Sequence, residues 1–282
     1  MMIDLHTHTT CSDGTDKPFT LVKKALASGV TTLGITDHDS TAGWAEAITA
    51  IQPEIALVLG AEISCLTTDG ISVHMLGLLF DGENTQMQEM LSDSRDTRVP
   101  RMRKMVELLQ VDGYEITLED VYRKVPSGAT VGRPHLADAL VENKVVASRD
   151  EAFNDLLNNE SKYYVTHASP TPVDAIKVIR RAGGVAVIAH PFASRRGQII
   201  TAATFSDLVE AGMHGIEVYH RDQNVTERQT LLTIAQELNL VVTGSSDYHG
   251  TGKLNSLAEN TTDKAQWELL ESLADVRRVV RK

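Results

Sequence analysis

Histidine, aspartate and glutamate recur in six short motifs, and these residue types are those of metal ligands. The motifs are IDLHTHTTCSDG at 3–14, GITDHDS at 34–40, GAEIS at 60–64, VHMLGL at 73–78, AHP at 189–191 and SSDYHG at 245–250. Imidazole and carboxylate donors together suit Zn, Mn or Fe, whereas Mg and Ca prefer oxygen ligands. Neighbouring divalent ions lower the pKa of a shared water and bind the oxygens of an in-line displacement, which is the chemistry of phosphate ester hydrolysis.

The ionisable residues fall at the downstream ends of predicted strands, except His74, which lies inside one. Strand candidates span 2–6, 31–38, 56–64, 71–80, 184–191, 215–220 and 240–249, and helical patterns lie near 18–28, 41–51, 84–110, 172–182, 204–211 and 225–238. Apolar strands that alternate with helices predict an α/β fold with a mostly parallel sheet, and seven strands suggest a barrel. In such a barrel the carboxyl ends of the strands open on one face, where active sites lie.

Each residue also has a plain structural explanation. An HxH pair such as His6 and His8 is compatible with a surface loop, and a lone His38 or His190 is compatible with a capping or core position. Glu62 is harder to explain in this way, because an unpaired buried carboxylate is costly. Seven of the ten histidines lie at strand ends or within a strand, so the motifs together predict a metal site.

In this order, the six motifs resemble the PHP family, the polymerase and histidinol phosphatase superfamily, over nearly the whole chain. Helical patterns without strands fill 100–168, and GRPHLA at 132–137 within them is similar to the subgroup of nucleoside 3',5'-bisphosphate phosphatases and 5'-3' exoribonucleases. The resemblance implies a distorted (β/α)7 barrel over 1–99 and 169–282. The segment 100–168 would be a helical insertion that acts as a substrate lid.

The resemblance also implies a trinuclear metal centre of Mn, Zn or Fe. The first metal would be held by His6, His8, Glu62 and Asp247. Glu62 would bridge to a second metal that His74 and His190 also hold, and the third would be held by Asp13, His38 and His249. Glu62 and Asp247 would therefore be catalytic residues.

Substrate contacts are expected from four further residues. Arg133 and His135 stand at a helix N-terminus, which favours anions, although Pro134 alone would explain the helix start and leave Arg133 solvated. His220 is a candidate phosphate contact or catalytic proton donor, with packing as the alternative. Arg195 follows His190 and is a candidate substrate contact, although a basic pair on a loop is usually solvated.

The amino-acid composition limits the kinds of partner that the protein is expected to bind. The net charge of -11 argues against an extended nucleic-acid surface, and no apolar run is long enough to span a membrane. The first residues lack a secretory signal, which predicts a cytoplasmic protein whose two cysteines, Cys11 and Cys65, are free thiols rather than a disulfide. The oligomeric state is left open.

The leading functional hypothesis is a metal-dependent phosphomonoesterase acting on small nucleotides. Its most favoured substrate is a nucleoside 3',5'-bisphosphate, from which it would remove the 3'-phosphate. The first alternative is 5'-3' trimming of short RNA, with the same residues binding the 5' end, and histidinol phosphate is a less favoured small substrate. An alternative of a different class is a non-catalytic metal-binding accessory module.

Overall fold

Seven strands form one sheet in chain order. The computed structural model describes residues 1–166, 168–194, 197–276 and 279–282. The strands are β1 Ile3–Asp4, β2 Thr32–Ile35, β3 Ala56–Leu66, β4 Ser72–Leu78, β5 Val185–Ala189, β6 Gly215–Tyr219 and β7 Val241–Gly244. Thr7, after β1, forms a parallel bridge with Tyr248, after β7. The sheet is therefore a nearly closed barrel, and the predicted seven-stranded α/β fold is confirmed.

One strand runs against the others. β4 pairs antiparallel with both β3 and β5, whereas every other pair is parallel. β3 reaches β4 through a tight turn in which Ile71 and Thr67 exchange backbone and side-chain hydrogen bonds. The start of β4 consequently lies on the face where the parallel strands end.

Helices surround the barrel, and several of them lie in one long connection between two consecutive strands. They are α1 Pro18–Ala27, α2 Trp44–Thr49, α3 Thr85–Val111, α4 Leu118–Tyr122, α5 Arg133–Glu142, α6 Arg149–Asp155, α7 Pro172–Arg181, α8 Ala202–Glu210, α9 Val225–Glu237 and α10 Lys264–Ser272. Helices α3 to α7 all lie between β4 and β5. α10 is not among the helices predicted from the sequence.

The barrel strands contribute alternate side chains to two apolar clusters. Leu57 and Leu59 of β3 pack outward with the surrounding helices, whereas Val58 joins the cluster inside the barrel. Trp267 and Leu270 of α10 belong to this inner cluster. The interior of the barrel is therefore filled with side chains, and the chemistry is confined to its rim.

The insertion has an apolar cluster of its own. Its buried members include Met102, Leu109, Leu136 and Leu157, while Met87 at the start of α3 belongs to the outer cluster of the barrel. α3 passes through Pro100 without interruption, so the boundary predicted at 99/100 falls inside a helix. The separate cluster supports an insertion, and the division at 100–168 stays a prediction.

Two further observations bear on the sequence predictions. Cys11 and Cys65 are both free, as predicted. Among the described residues, no helix combines the length and apolar character that crossing a bilayer requires.

Candidate metal centre

The predicted metal ligands come together at one end of the barrel. His6 and His8 follow β1, His38 follows β2, His190 follows β5, and Asp247 and His249 follow β7. Glu62 was expected to end its strand, but β3 continues beyond it to Leu66. His74, inside β4, lies opposite Ser64 of β3 and Ala189 of β5. The reversed direction of β4 therefore brings His74 to the rim that the parallel strands reach with their carboxyl ends.

Glu62 lies at the middle of this group, and only 1% of its side chain is exposed. Its Oε1 is 2.8 Å from Nδ1 of His74 and 3.1 Å from Nε2 of His190. Its Oε2 is 3.3 Å from Nε2 of His6, and 3.1 Å from both Nε2 of His8 and Nδ1 of His38. One carboxylate thus contacts imidazoles from five positions in the sequence, which is the geometry expected of a bridging ligand.

Asp247 forms a second centre beside Glu62. Its Oδ1 lies 3.3 Å from Nε2 of His8 and 3.5 Å from Nε2 of His6. The ligand atoms of His6, His8, Glu62 and Asp247 all lie within 4.8 Å of one another, so the structure assembles the set predicted for the first metal.

Asp13 is the carboxylate of a third group. Its Oδ1 is 3.3 Å from Nε2 of His249, and its Oδ2 is 3.7 Å from Nε2 of His38. His8 joins this group, because its Nδ1 is 3.6 Å from Oδ1 of Asp13. The set predicted for the third metal is therefore brought together with one additional histidine.

The set predicted for the second metal is brought together less completely. His38, Glu62 and His74 form a compact group, while His190 groups with His6 and Glu217. His190 nevertheless contacts the same Oε1 of Glu62 as His74 does. Both predicted histidines therefore reach Glu62.

Buried carboxylates position the loops that carry these ligands. Asp37 accepts hydrogen bonds from the backbone N–H and hydroxyl of Thr9 and from the hydroxyl of Ser12, and so positions the loop that ends in Asp13. Asp4 accepts from the backbone N–H groups of Ser246 and Ala258. Two ligands, His190 and Asp247, have positive φ angles of 30° and 52°, which non-glycine residues rarely adopt. Strain of this kind is common at functional sites.

The arrangement of donors fits divalent cations. Nε2 of His6 and Nε2 of His8 are 3.1 Å apart. Nδ1 of His38 and Nε2 of His249 are buried and have no hydrogen-bond partner among the described residues, although each lies near a carboxylate oxygen. Buried polar atoms are normally hydrogen-bonded, so these atoms indicate cations that the group is built to hold. The mixed N and O donors suit Zn, Mn or Fe.

The pKa values show how strongly these groups interact. Burial would lower the pKa of His8, but Asp247 and Glu62 raise it to about 9. Burial would raise the pKa of Glu62, but the charges of His74, His6 and His38 lower it well below its usual value. A cation that binds here must displace the proton from His8, so metal binding should weaken as the pH falls.

Glu217 is a functional candidate that the sequence motifs did not reveal. It lies in the middle of β6, fully buried, with Oε1 3.2 Å from Nδ1 of His6 and Oε2 accepting from the backbone N–H of His190. Metal-binding histidines commonly donate their second ring N–H to a carboxylate, which orients the ring. The signal in the sequence was a charged residue within the apolar strand GIEVYH, where a buried carboxylate needs a partner.

His220 lies behind Asp247. It is fully buried, its Nδ1 accepts from the backbone N–H of Asp222, and its Nε2 is 3.3 Å from Oδ2 of Asp247. Because Nδ1 accepts, the proton of the neutral ring is on Nε2 and is donated to Asp247. These contacts favour a role in orienting Asp247 over direct contact with substrate.

Three arginines of α3 and α5 are buried or partly buried. Arg98 and Arg101 of α3 are both buried, and Arg133 at the start of α5 is partly buried. Arg101 and Arg133 lie on the ring of Tyr164, each 5.1 Å from its centroid. Burial, together with the charges of Arg133 and Arg98, lowers the pKa of Arg101 to about 9. Arg195, the remaining predicted substrate contact, lies outside the described residues.

His135 lies in the first turn of α5, beside Arg133. It is buried, and its Nδ1 accepts from the backbone N–H of Gly132. Burial lowers the pKa of His135, and the nearby charges of Asp13 and Arg98 act on it in opposite directions. The backbone N–H of Thr130 also donates to the carbonyl of Cys11 in the Asp13 loop. The insertion therefore contacts the rim of the barrel directly.

The chain is similar to several known proteins in sequence and in fold. The PHP domain family matches residues 4–125. A 3',5'-nucleoside bisphosphate phosphatase of Chromobacterium violaceum is 31% identical over 252 residues, which cover 89% of this chain and 88% of that protein. A 5'-3' exoribonuclease of Salmonella typhimurium is 35% identical over 261 residues, covering 88% and 85%.

A solved structure is similar over almost the whole length. It comes from Bifidobacterium adolescentis, and its description proposes a metal-dependent phosphoesterase. The TM-score is 0.91 and the identity 40%, with 96% of each chain covered.

Proposed function

The chain belongs to the PHP domain family, and we propose that it is a metal-dependent phosphomonoesterase that removes the 3'-phosphate of nucleoside 3',5'-bisphosphates. The relatives include a 3',5'-nucleoside bisphosphate phosphatase and a 5'-3' exoribonuclease, so both activities are candidates. The observation that carries the proposal is the cluster of Arg98, Arg101 and Arg133, in which Arg98 contacts Asp39, next to His38.

Three metal ions per chain are part of the proposal. His6, His8, Glu62 and Asp247 would hold the first, Glu62, His74 and His190 the second, and Asp13, His38 and His249 the third. The groups found in the structure support the first and third sets, and the second rests on the contacts of His74 and His190 with Oε1 of Glu62. Divalent ions, when bound, lower the pKa of water towards neutrality and stabilise negative charge on phosphoryl oxygens. Zn, Mn and Fe share these ligands, so cellular availability would decide the occupant.

The arginine cluster would bind a second phosphate of the substrate. No carboxylate of the described residues forms an ion pair with Arg101, whose Nε donates only to the carbonyl of Val165. Arg133 donates to the carbonyl of Leu157 and to Oδ1 of Asn159. Burying like charges together is unfavourable, and a bound phosphate would relieve that cost with charge-assisted hydrogen bonds. His135, between this cluster and Asp13, would contact the same ligand.

A substrate with two phosphates fits this arrangement. One phosphate would lie at the metal centre and the other at the arginines, with the nucleoside between them. RNA trimming uses the same 5'-phosphate anchor but cuts a diester. The net charge of -11 provides no broad electrostatic attraction for a polynucleotide, which favours the small substrate.

A panel of substrates tests the proposal. Purified enzyme, with its metals measured by elemental analysis, would be assayed on adenosine 3',5'-bisphosphate, on 3'-AMP, on histidinol phosphate and on a 5'-phosphorylated RNA trimer. We expect AMP and inorganic phosphate from the bisphosphate at the highest kcat/KM. Glu62→Gln should abolish turnover and reduce the metal content. Faster release of nucleotides from the trimer would favour the exoribonuclease instead.

The panel also separates catalysis from metal storage. A sample with near-stoichiometric metal that hydrolyses none of these esters would support a non-catalytic metal-binding module. The cytoplasmic location stays a prediction.

A further inference from the structure

Lys253 lies beside the metal centre and has no role in the ligand sets. Its Nζ is 2.8 Å from Oδ2 of Asp247, while 29% of the lysine side chain remains exposed. Asp247 thus has two sides: Oδ1 faces His6 and His8, and Oδ2 faces Lys253 and His220. The ammonium group therefore lies on the solvent side of a carboxylate assigned to metal binding.

The turn that carries Lys253 is held from two directions. Gly250 adopts a φ of 68°, and the backbone N–H of Thr251 donates to Oγ1 of Thr15 in the loop after Asp13. From the insertion, Nη1 of Arg149 donates to the carbonyl of Gly252. Lys253 is consequently placed where the metal centre meets the insertion, and its backbone position is set by contacts on both sides.

In a site that bound only metal ions, the positive charge of Lys253 would be unfavourable. An ammonium group near a cation site repels the cation. The ammonium has three N–H donors, and in the part of the chain that the structure describes only Asp247 accepts from it. An anion bound at the metal centre would accept hydrogen bonds from the remaining N–H donors. Its negative charge would also account for a lysine at this position.

We propose that Lys253 is a specificity-determining residue that hydrogen-bonds the phosphoryl group at the metal centre and favours dianionic phosphate monoesters over monoanionic diesters. The inference rests on the proposed phosphoesterase function. A terminal phosphate carries a charge of about −1.5 to −2 at pH 7, whereas a diester carries a single charge. One extra cation next to Asp247 therefore stabilises a bound monoester more than a bound diester. The same residue would distinguish phosphatase from exoribonuclease activity at an otherwise shared centre.

The test compares metal-loaded wild type with Lys253→Met, Lys253→Arg and Lys264→Met. Lys264 is a matched control, because it is an ion-paired lysine on α10 with 62% of its side chain exposed. Calorimetry would measure the affinity for inorganic phosphate. Kinetics would give kcat/KM for p-nitrophenyl phosphate and for bis-p-nitrophenyl phosphate, and elemental analysis would give metal content.

We expect Lys253→Met to weaken phosphate binding by about 10- to 100-fold, as for loss of a hydrogen bond to a charged group. The ratio of monoester to diester kcat/KM should fall by about tenfold, with metal content unchanged. Lys253→Arg should retain most of the phosphate affinity, and Lys264→Met should behave as wild type.

Unchanged phosphate affinity in Lys253→Met would overturn the inference. The inference would also be overturned if Lys253→Met lost metal and lost activity on both esters equally, since Lys253 would then act only by positioning Asp247. Neither p-nitrophenyl ester has a second phosphate. A wrong assignment of the bisphosphate substrate would therefore appear in the substrate panel and not in this comparison.

Discussion

Individual carboxylates organise the site, and each has its own set of imidazoles. Glu62 contacts five histidines, Asp13 contacts three, and Asp247 contacts His6, His8, His220 and His249. An isolated buried carboxylate would become protonated, yet neighbouring imidazoles lower the pKa of Asp13 and Glu62 well below usual despite burial. The residues are thus prepared to bind cations in their ionised form.

Glu217→Gln tests whether the buried carboxylate of β6 orients His6. Glutamine has nearly the same size but no charge, so the bond to Nδ1 of His6 would weaken while the fold is kept. We expect the affinity for the metal held by His6 to fall by about 10- to 100-fold, the usual cost of changing such a partner. Competition with a chelating dye would measure the affinity.

Glu268→Gln is the matched control for this prediction. Glu268 pairs with Lys264 on α10, and 59% of its side chain is exposed. Equal metal affinity in the two variants would contradict the role assigned to Glu217.

At the scale of elements, α3 links the barrel to the insertion through a buried ion pair. Arg98 donates from Nη2 to Oδ2 of Asp39 at 2.6 Å and to Oγ of Ser64, and Asp39 is fully buried next to His38. Asp39 has a φ of 50° and in turn accepts from the backbone N–H of Ser64. One helix thereby contacts the residue that follows the candidate ligand His38 and the part of β3 that carries the candidate ligand Glu62.

Arg98→Met should destabilise the protein, because it leaves the carboxylate of Asp39 buried without its partner. We expect the free energy of unfolding to fall by about 3–5 kcal/mol. Lys104→Met, which breaks an exposed pair with Glu107 on the same helix, should cost about 0–1 kcal/mol. Urea unfolding of both variants would measure the difference. Similar losses in the two variants would show that the Asp39 pair is not a structural link.

The segment before β6 contains a pH-sensitive contact away from the metal centre. Nδ1 of His214 accepts from the backbone N–H of Ala186 in β5, and burial, with the charge of Arg180, lowers the pKa of His214 to about 4. Between pH 6.5 and 4 the unfolded chain binds a proton on this imidazole and the folded chain does not. This histidine therefore reduces stability as the pH falls through that interval.

His214→Asn should remove this part of the pH dependence, since its amide oxygen can accept the same hydrogen bond without titrating. We expect the difference in stability between variant and wild type to shift in favour of the variant as the pH falls from 6.5 to 4. Denaturant unfolding at several pH values would measure it. A constant difference would contradict the assigned pKa.

For the whole molecule, the metal centre joins parts that are distant in the sequence. Its candidate ligands come from the segments after β1, β2, β5 and β7 and from within β3 and β4. A cation bound only by the folded chain stabilises the entire barrel.

Removal of metal should consequently lower the Tm of the whole protein. At a metal concentration 100-fold above Kd, the stabilisation is about 2.7 kcal/mol per site. Differential scanning calorimetry with added Mn²⁺ and with EDTA would show the shift, and the shift should be smaller in Glu62→Gln. Equal Tm values with and without metal would contradict metal binding by the folded barrel.

From the sequence alone, the motifs predicted the family and the seven-stranded α/β fold, which are confirmed, and a set of metal ligands that stays a prediction. When the apolar strands of a barrel end in His, Asp or Glu, these residues are expected to form one site, because the strand ends meet at one face. His6, His8, Glu62 and Asp247 were predicted from such positions, and the structure brings them together, whereas Asp13 was predicted from the family resemblance and groups with His8, His38 and His249.

The direction of β4 and the contacts of His220, Glu217 and Lys253 became apparent only in the folded chain. Strand direction depends on pairing between segments, which the apolar pattern of a strand does not encode. Glu217 and Lys253 lie outside the six motifs. Their proposed roles follow from their partners in the fold, which are His6 for Glu217 and Asp247 for Lys253. A buried charge is interpretable only when the groups that compensate it are known.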